Sequence, residues 1–286
     1  MPRVLVIGFG KLGSSLTRFL IHAQIKVQVV DPKPYDPSFE PVVKKKDYFE
    51  KLSAQPLAHA DLIFICVRDD QISGIVRALK SFPLKNKRIV HTSGVTDADV
   101  LEPLRKQGAS VGSFHPLQTF NVPLLPAEHW HSIYCTFQGD AEIQSELQEI
   151  FRPAGVKIIA VNRTQKEAIH LAAVVSANFQ VALYAWASEI IKQAGLENIT
   201  AGRLLAPLVE QTAKNFSQRP LNEILSGPLQ RGDLSSIRRH LDFLSKNSDE
   251  LSVRLYRLLS EKLLQNEDFN IQDRKRLQEF FKGLEK

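Results

Sequence analysis

The start of the chain constrains its fold more than any other stretch. Four apolar residues at positions 4–7 lead directly into glycines at the spacing GxGxxG, which occupies residues 8–13. A second apolar run covers residues 25–30 and ends at Asp31. The order strand, glycine turn, helix, strand and acid is the sequence signature of a unit that binds a dinucleotide.

Each glycine of this pattern has its own physical reason. Gly8 allows a tight turn, Gly10 lets the backbone approach a pyrophosphate, and Gly13 lets the following helix pack close to the strand. We predict that helix over residues 12–21, and its free N–H groups and positive dipole end attract phosphate. The residues predicted to bind this part of the cofactor are Gly8, Phe9, Gly10, Lys11, Leu12 and Gly13.

Two residues after the second apolar run bear on which dinucleotide is bound. Asp31 is placed to accept hydrogen bonds from the adenosine ribose hydroxyls, which favours NAD because a carboxylate would repel the 2′-phosphate of NADP. Lys33 could instead pair with that phosphate. We therefore expect NAD or NADP as the cofactor, with NAD slightly favoured by Asp31.

Further apolar runs predict more strands of the same sheet. The run at residues 61–67 is continuous rather than alternating, as in a parallel strand that is buried on both faces. Polar segments follow the strands, and in an open parallel sheet the carboxyl ends of the strands form the ligand site. Val67, Arg68, Thr92 and Ser93 are therefore cofactor candidates, although Thr92 and Ser93 could equally stabilise a turn. The remaining predicted strands cover residues 88–91, 109–114, 133–137 and 156–161.

The pattern changes to helical after residue 161. No Gly or Pro interrupts residues 156–194, and Thr164 with Glu167 forms a capping-box pattern. Gly195 is a natural stop, so we predict one helix of roughly 28–30 residues. The chain is therefore predicted to be α/β, with a doubly wound Rossmann sheet that binds NAD(P) in residues 1–162. An all-α domain for substrate binding and dimerisation follows in residues 163–286.

Composition narrows the class of protein. The 286 residues carry a net charge of +6 and only two cysteines, which suggest reduced thiols in a cytoplasmic protein and no metal site. The one tight basic run, residues 44–46, lacks the aromatic residues that accompany nucleic-acid binding. No segment reads as a signal peptide or a membrane span, so we expect neither nucleic-acid nor membrane partners.

Four residues are candidates for catalysis. His115 follows a predicted strand and precedes a proline in a predicted loop, where it could donate a proton, bind a carboxylate, or simply bond the backbone. Lys166, His170 and Asn178 lie on the long helix, and the i, i+4 spacing stacks the first two. They face either a cleft or the core of the helical domain.

Two further residues are candidates for binding substrate. Arg231 lies in the segment 227–233, where it could hold a carboxylate through two hydrogen bonds, although the segment could serve only as a turn and helix cap. Gln118 follows His115 in the same predicted loop.

Five segments together resemble one bacterial family of Rossmann-like oxidoreductases with a C-terminal helical domain of unknown function. They are residues 4–13, 67–70, 91–95, 112–120 and 227–233. The resemblance covers about residues 3–260, and more distantly it extends to the 6-phosphogluconate dehydrogenase-type superfamily. It implies a dinucleotide domain, a helical domain that often dimerises, and a cleft between them.

The resemblance also suggests roles for individual residues. His115 stands where prephenate dehydrogenases carry a His-Pro segment. Lys166, His170 and Asn178 lie on the helix where ketopantoate reductases and hydroxyacid dehydrogenases place catalytic Lys and Asn. Many relatives carry a basic residue after the second strand and use NADP, whereas this chain has Asp31 there.

The combined expectation is an NAD(P)-dependent oxidoreductase. It would transfer hydride between nicotinamide and a carbonyl or imine of a small metabolite that bears a carboxylate. His115, His170 or Lys166 would supply the proton. The alternatives are ketopantoate reduction specifically, and a catalytically inactive protein that binds a dinucleotide as a sensor or scaffold.

Overall fold

Eight short strands form a single sheet in the first part of the chain. The computed structural model describes residues 1–284. The strands are β1 (Val4–Ile7), β2 (Val27–Val30), β3 (Tyr48–Phe49), β4 (Leu62–Ile65), β5 (Arg88–His91), β6 (Ser110–Pro116), β7 (Tyr134–Gly139) and β8 (Lys157–Ala160). Their order is β3-β2-β1-β4-β5-β6-β7-β8, and β6 with β7 is the one antiparallel pair of this sheet. The predicted doubly wound α/β sheet is confirmed.

Helices cover both faces of this sheet, because successive strand residues point to opposite sides. Val4 and Val6 belong to one apolar core, and Leu5 and Ile7 belong to the other. The first core is completed by α1 (Lys11–His22) and α5 (Ala141–Phe151). The second is completed by α2 (Ala54–His59), α3 (Asp69–Leu79) and α4 (Glu102–Arg105).

An aromatic cluster lies at the centre of the first core. The Phe151 ring stacks on Phe19 with ring centroids 4.9 Å apart, and its centroid lies 5.0 Å from that of Phe114 and 5.3 Å from that of Trp130. All four rings are buried. Phe151 therefore joins α5 to both α1 and the sheet.

A long helix leads out of the sheet unit. It consists of α6 (Arg163–Ala173), a π-helical turn at Val174–Asn178 and α7 (Phe179–Gln193), 31 residues in all. The predicted long helix and its end at Gly195, with a φ of 77°, are confirmed. The capping box predicted at Thr164 is wrong: Asn162 is the N-cap, and it exchanges hydrogen bonds with Gln165. Asn caps a helix as well as Thr does, and the overlapping pattern two residues earlier prevails.

The second compact unit is helical and begins at Asn178. After α7 it contains α8 (Ala201–Gln218), α9 (Leu234–Asn247), α10 (Glu250–Gln265) and α11 (Arg274–Gly283). Residues of the last three helices form a third apolar core, and Asp233 caps α9 by accepting from the Ser236 N–H. The division between the compact units falls inside the long helix, whereas the sequence pattern places the domain boundary at the start of that helix.

Strand β6 corrects one prediction near the site. His115 and Pro116 were expected in a loop, but both lie in the strand, because residues 112–116 pair with residues 135–139 of β7. The antiparallel partner extends the strand past the point where the apolar run stops. Sequence reasoning also missed three elements, namely β3, α2 and α5.

The long helix exposes much apolar surface. Its segment Arg163–Gln193 has the length and hydropathy that could span a bilayer, and none of its most apolar window is buried within the chain. Its exposed large apolar side chains are Leu171, Val175, Phe179, Val181, Leu183 and Tyr184. Exposed apolar surface of this extent is typical of an interaction site.

Truncation of the central aromatic ring should weaken the sheet unit. Phe151→Ala is expected to lower the free energy of unfolding by about 3–5 kcal/mol, because the cavity removes three ring contacts. Urea denaturation followed by circular dichroism measures this loss. Tyr134→Ala is the control, because that ring is 45% exposed on β7 and should cost less than about 1 kcal/mol. Equal losses in the two variants would contradict the central role of Phe151.

Candidate active site at the carboxyl edge of the sheet

The glycine turn connects β1 to α1. Gly8 has a φ of 99°, and a Cβ there would lie 2.6 Å from the Cys66 carbonyl oxygen. A Cβ on Gly13 would overlap the Gly8 carbonyl oxygen. At Gly10, in contrast, nothing lies within 4 Å of the Cβ position. Packing within the protein therefore explains two of the glycines, and the third leaves an open approach to the backbone where a pyrophosphate fits.

Asp31 is tied to the glycine turn. Its Oδ2 accepts a hydrogen bond from the Phe9 N–H at 2.6 Å, and its Oδ1 accepts one from the Lys33 N–H at 2.9 Å. The side chain is 8% exposed. Each carboxylate oxygen thus has a backbone donor, which holds the group in one orientation beside the predicted adenosine ribose.

The start of α1 is available to an anion. Gly10 is its N-cap, and no side chain caps the helix. Lys11 is exposed at the first position and Leu12 is half-buried. The backbone N–H groups of the first turn and the positive helix dipole therefore suit phosphate oxygens.

The later candidates for cofactor binding lie at neighbouring strand ends. Val67 is half-buried after β4, and the exposed Arg68 pairs with Asp70 at 3.2 Å. Ser93 Oγ accepts hydrogen bonds from the Val95 and Thr96 N–H groups. The turn role proposed for Ser93 is therefore present, and it uses the hydroxyl oxygen as an acceptor.

Lys166 reaches from α6 to the end of the sheet. Its side chain is 2% exposed, and its Nζ donates a hydrogen bond to Ser113 Oγ on β6. Burial lowers the pKa of Lys166 to about 8, against the attraction of Asp97 and Asp69. An ammonium group with this pKa can give up a proton near neutral pH.

Two histidine rings meet above Gly94. His115 and His170 form an edge-to-face pair with centroids 5.6 Å apart. A Cβ on Gly94 would lie 2.8 Å from both His115 Cε1 and His115 Nε2, and it would collide with His170 Nδ1. Only glycine permits this approach. Burial, followed by the charges of His170 and Lys166, lowers the pKa of His115 to about 4, so its ring is neutral at pH 7.

One atom of this cluster lacks a partner. His170 Nδ1 is buried and has no hydrogen-bond partner among residues 1–284. The great majority of buried polar groups in proteins have a hydrogen-bond partner, and each exception needs an explanation. A polar group on a bound molecule could be the missing hydrogen-bond partner of His170 Nδ1.

His91 lies beneath the cluster and was not among the predicted site residues. Its Nδ1 accepts from the Ser93 N–H at 3.2 Å, so Nε2 carries the proton and donates to the Asp97 carbonyl oxygen at 3.2 Å. Burial, with the charge of Lys166, lowers the pKa of His91 to about 3. The sequence signal was available, because His91 ends the predicted strand 88–91 and directly precedes the candidates Thr92 and Ser93.

The predicted site residues are therefore only partly brought together. Lys166, His170 and His115 share one cluster, which also contains Ser113 and Gly94. Gln118 is exposed, and its Oε1 accepts from the adjacent Thr119 N–H. Asn178 and Arg231 are exposed residues of the second compact unit. Within the described part of the chain, no group of three His, Cys, Asp or Glu residues could hold a metal ion.

Comparison with known proteins identifies both parts of the chain. Residues 2–116 match a Rossmann-like domain, and residues 133–263 match a domain of unknown function, DUF2520. No functionally curated protein matches the sequence.

Solved structures share the fold at low sequence identity. A Bacteroides fragilis protein provisionally named an NADP oxidoreductase has 24% identity and a TM-score of 0.74, over 91% of this chain and 97% of that one. A Thermotoga maritima protein has 23% identity and a TM-score of 0.68, over 91% and 96%. An Aspergillus terreus reductive aminase, solved with NADPH and ethyl-5-oxohexanoate, has 12% identity and a TM-score of 0.65, over 98% and 99%.

The glycines of the turn should respond differently to alanine. Gly10→Ala is expected to weaken NADH and NADPH binding at least about tenfold, while the free energy of unfolding changes by less than about 1 kcal/mol, because the added methyl enters open space. Gly13→Ala should cost about 1–3 kcal/mol of stability through its overlap with Gly8. Fluorescence titration with each dinucleotide measures the affinity, and urea denaturation measures the free energy of unfolding. Unchanged dinucleotide affinity in a folded Gly10→Ala protein would place the phosphates elsewhere.

Proposed function

We propose that this chain, in which a Rossmann-like domain precedes a DUF2520 domain, is an NAD(P)-dependent oxidoreductase. It would transfer hydride between nicotinamide and a carbonyl or imine of a small metabolite that bears a carboxylate. One observation carries the proposal: the buried Lys166 ammonium lies at the carboxyl edge of the parallel sheet, the edge at which the glycine turn and Asp31 also lie.

The residues of the turn fit a dinucleotide. The Gly8–Gly13 backbone and the start of α1 would hold its phosphates, and Asp31 would accept from the adenosine ribose. When bound, the dinucleotide supplies or accepts the hydride. We propose NAD as the preferred form, because two backbone donors fix the Asp31 carboxylate where a 2′-phosphate would meet it. Lys33 favours NADP, and the Aspergillus terreus structure holds NADPH.

Lys166 is the proposed proton donor in the reductive direction. At pH 7 it is protonated, whereas His115 is neutral and can only accept or share a proton. Lys166 would give its proton to the carbonyl oxygen or imine nitrogen of the substrate. His115 and His170 would bind the polar groups of the substrate, and Asn178, Gln118 and Arg231 remain candidates for orienting it and holding its carboxylate.

Loss of the Lys166 amine should abolish turnover but not cofactor binding. Lys166→Met is expected to lower kcat by about 10²–10⁴, the usual contribution of general acid catalysis. The wild-type reductive rate should fall as pH rises through about 8, because the amine loses its proton there. Steady-state assays with keto acids, ketopantoate among them, and cyclic imines provide the measurement.

Two controls make this test specific. Lys157→Met removes an exposed ammonium from β8 and should leave kcat unchanged. NADH and NADPH titrations should give the same affinities for the wild type and Lys166→Met. Tight dinucleotide binding without turnover on any substrate of the panel would instead favour the sensor or scaffold role.

We also propose that the helical part forms a homodimer in the cytoplasm. The second unit exposes large apolar side chains on three of its helices, which a second copy of the same surface would cover. Those on α7 and α8 are Phe179, Val181, Leu183, Tyr184, Leu204, Leu208 and Phe216, and those on α10 are Leu251, Leu258 and Leu259.

A charge on this surface should dissociate the dimer. The wild type is expected to sediment at twice 32.2 kDa, and Leu208→Glu, at a side chain that is 66% exposed, should sediment as a monomer. Val95→Glu is the control, because Val95 is 49% exposed in the sheet unit. A monomeric wild type that binds neutral lipid vesicles would contradict the dimer and assign the apolar helix to a membrane.

A further inference from the structure

Ser113 is the one hydrogen-bond partner of Lys166 Nζ among the described residues. It lies on β6, is as deeply buried as Lys166, and accepts through its hydroxyl oxygen. The same hydroxyl donates to the Ser93 carbonyl oxygen at 3.4 Å. Since its proton is used in that bond, the oxygen lone pairs face the ammonium group.

Ser93 is itself held in place from two sides. Its N–H donates a hydrogen bond to His91 Nδ1. Its hydroxyl oxygen accepts hydrogen bonds from the Val95 and Thr96 N–H groups. His91 Nε2 donates to the Asp97 carbonyl oxygen. The acceptor of Lys166 therefore rests on a continuous chain of hydrogen bonds from Ser113 through Ser93 and His91 to Asp97.

The charged groups around Lys166 do not by themselves set the orientation of its ammonium group. Asp97 and Asp69 attract the ammonium, but the structure gives neither a direct ion pair with it. The Asp97 carboxylate accepts hydrogen bonds from the Asp99 N–H and from Gln138 Nε2. Burial raises the pKa of Asp97, but these hydrogen bonds and the nearby cations outweigh burial and hold the pKa below its usual value. The other titratable groups near Lys166 are His91, His115 and His170.

We propose that Ser113 is a positioning residue for Lys166. Its hydroxyl holds one N–H of the ammonium and so directs the remaining protons toward the substrate. This inference rests on the proposed function, in which Lys166 is the proton donor. A side chain of four methylenes would otherwise sample many directions, so the contact reduces the entropy lost on reaching the reactive geometry.

Ser113→Ala removes the acceptor and keeps the small volume. The ammonium then lacks a hydrogen-bond acceptor in a buried position, which favours the neutral amine. We expect kcat to fall at least about tenfold, KM for the dinucleotide to stay the same, and the decline of the reductive rate to begin at least about 0.5 pH unit lower. Ser113→Thr keeps the hydroxyl and should restore the wild-type pH profile.

A control separates this effect from a loss of stability. Ser260→Ala removes another buried serine hydroxyl, one that bonds the Tyr256 carbonyl oxygen of its own helix. It should leave both kcat and the pH profile unchanged. If Ser113→Ala lowers Tm strongly, Ser113→Cys serves in its place, because a thiol is of similar size but a weak acceptor.

NMR titration of the lysine side chains decides the inference without activity. In protein with isotope-labelled lysine, the signal that is missing from Lys166→Met is assigned to Lys166. Ser113→Ala should lower the titration midpoint of this signal, whereas Ser113→Thr should leave it unchanged. This result would support the contact even if no substrate is turned over and the proposed function fails. An unchanged midpoint, or a lower kcat with an unchanged pH profile, would overturn the positioning role.

Discussion

The parallel pairing of β1, β4, β5 and β6 is the constraint on which the site depends. Because these strands run in the same direction, their carboxyl ends share one edge of the sheet. The glycine turn and the His91–Gly94 segment leave the sheet at that edge, and the Ser113–His115 segment of β6 lies beside them although it is far away in sequence. The two apolar cores that cover the sheet stabilise this arrangement, since every strand residue of β1 and β4 is buried.

Burial gives the polar groups at this edge their chemistry. Lys166 and His115 are both removed from water, and both pKa values fall, to about 8 and about 4. The result is a protonated amine beside a neutral imidazole at pH 7. Burial thus lowers both pKa values and leaves them on opposite sides of neutrality, so that an acid and a neutral hydrogen-bonding group can have separate roles at pH 7.

Much of the fold could be predicted from local patterns, but the site only in part. The continuous apolar runs and the glycine spacing predicted the sheet, and the absence of Gly and Pro from residues 156–194 predicted the long helix. Short elements such as β3 and α2 were missed because two to six residues carry too little periodicity. His115 was placed in a loop because its strand is extended by pairing with β7, a long-range effect that the apolar run does not encode.

The sequence by itself determined the phosphate-binding turn, since a tight turn and close packing at Gly8 and Gly13 depend on the absence of a side chain. It also determined the helical stretch that carries Lys166 and His170, since four-residue spacing places them on one face. Only the tertiary structure decided that Ser113, not a carboxylate, meets the Lys166 ammonium, and that Gly94 lies beneath the two imidazoles. Those contacts join residues separated by 21 to 76 positions, and no local pattern encodes which side chains a packed sheet edge brings within hydrogen-bond distance.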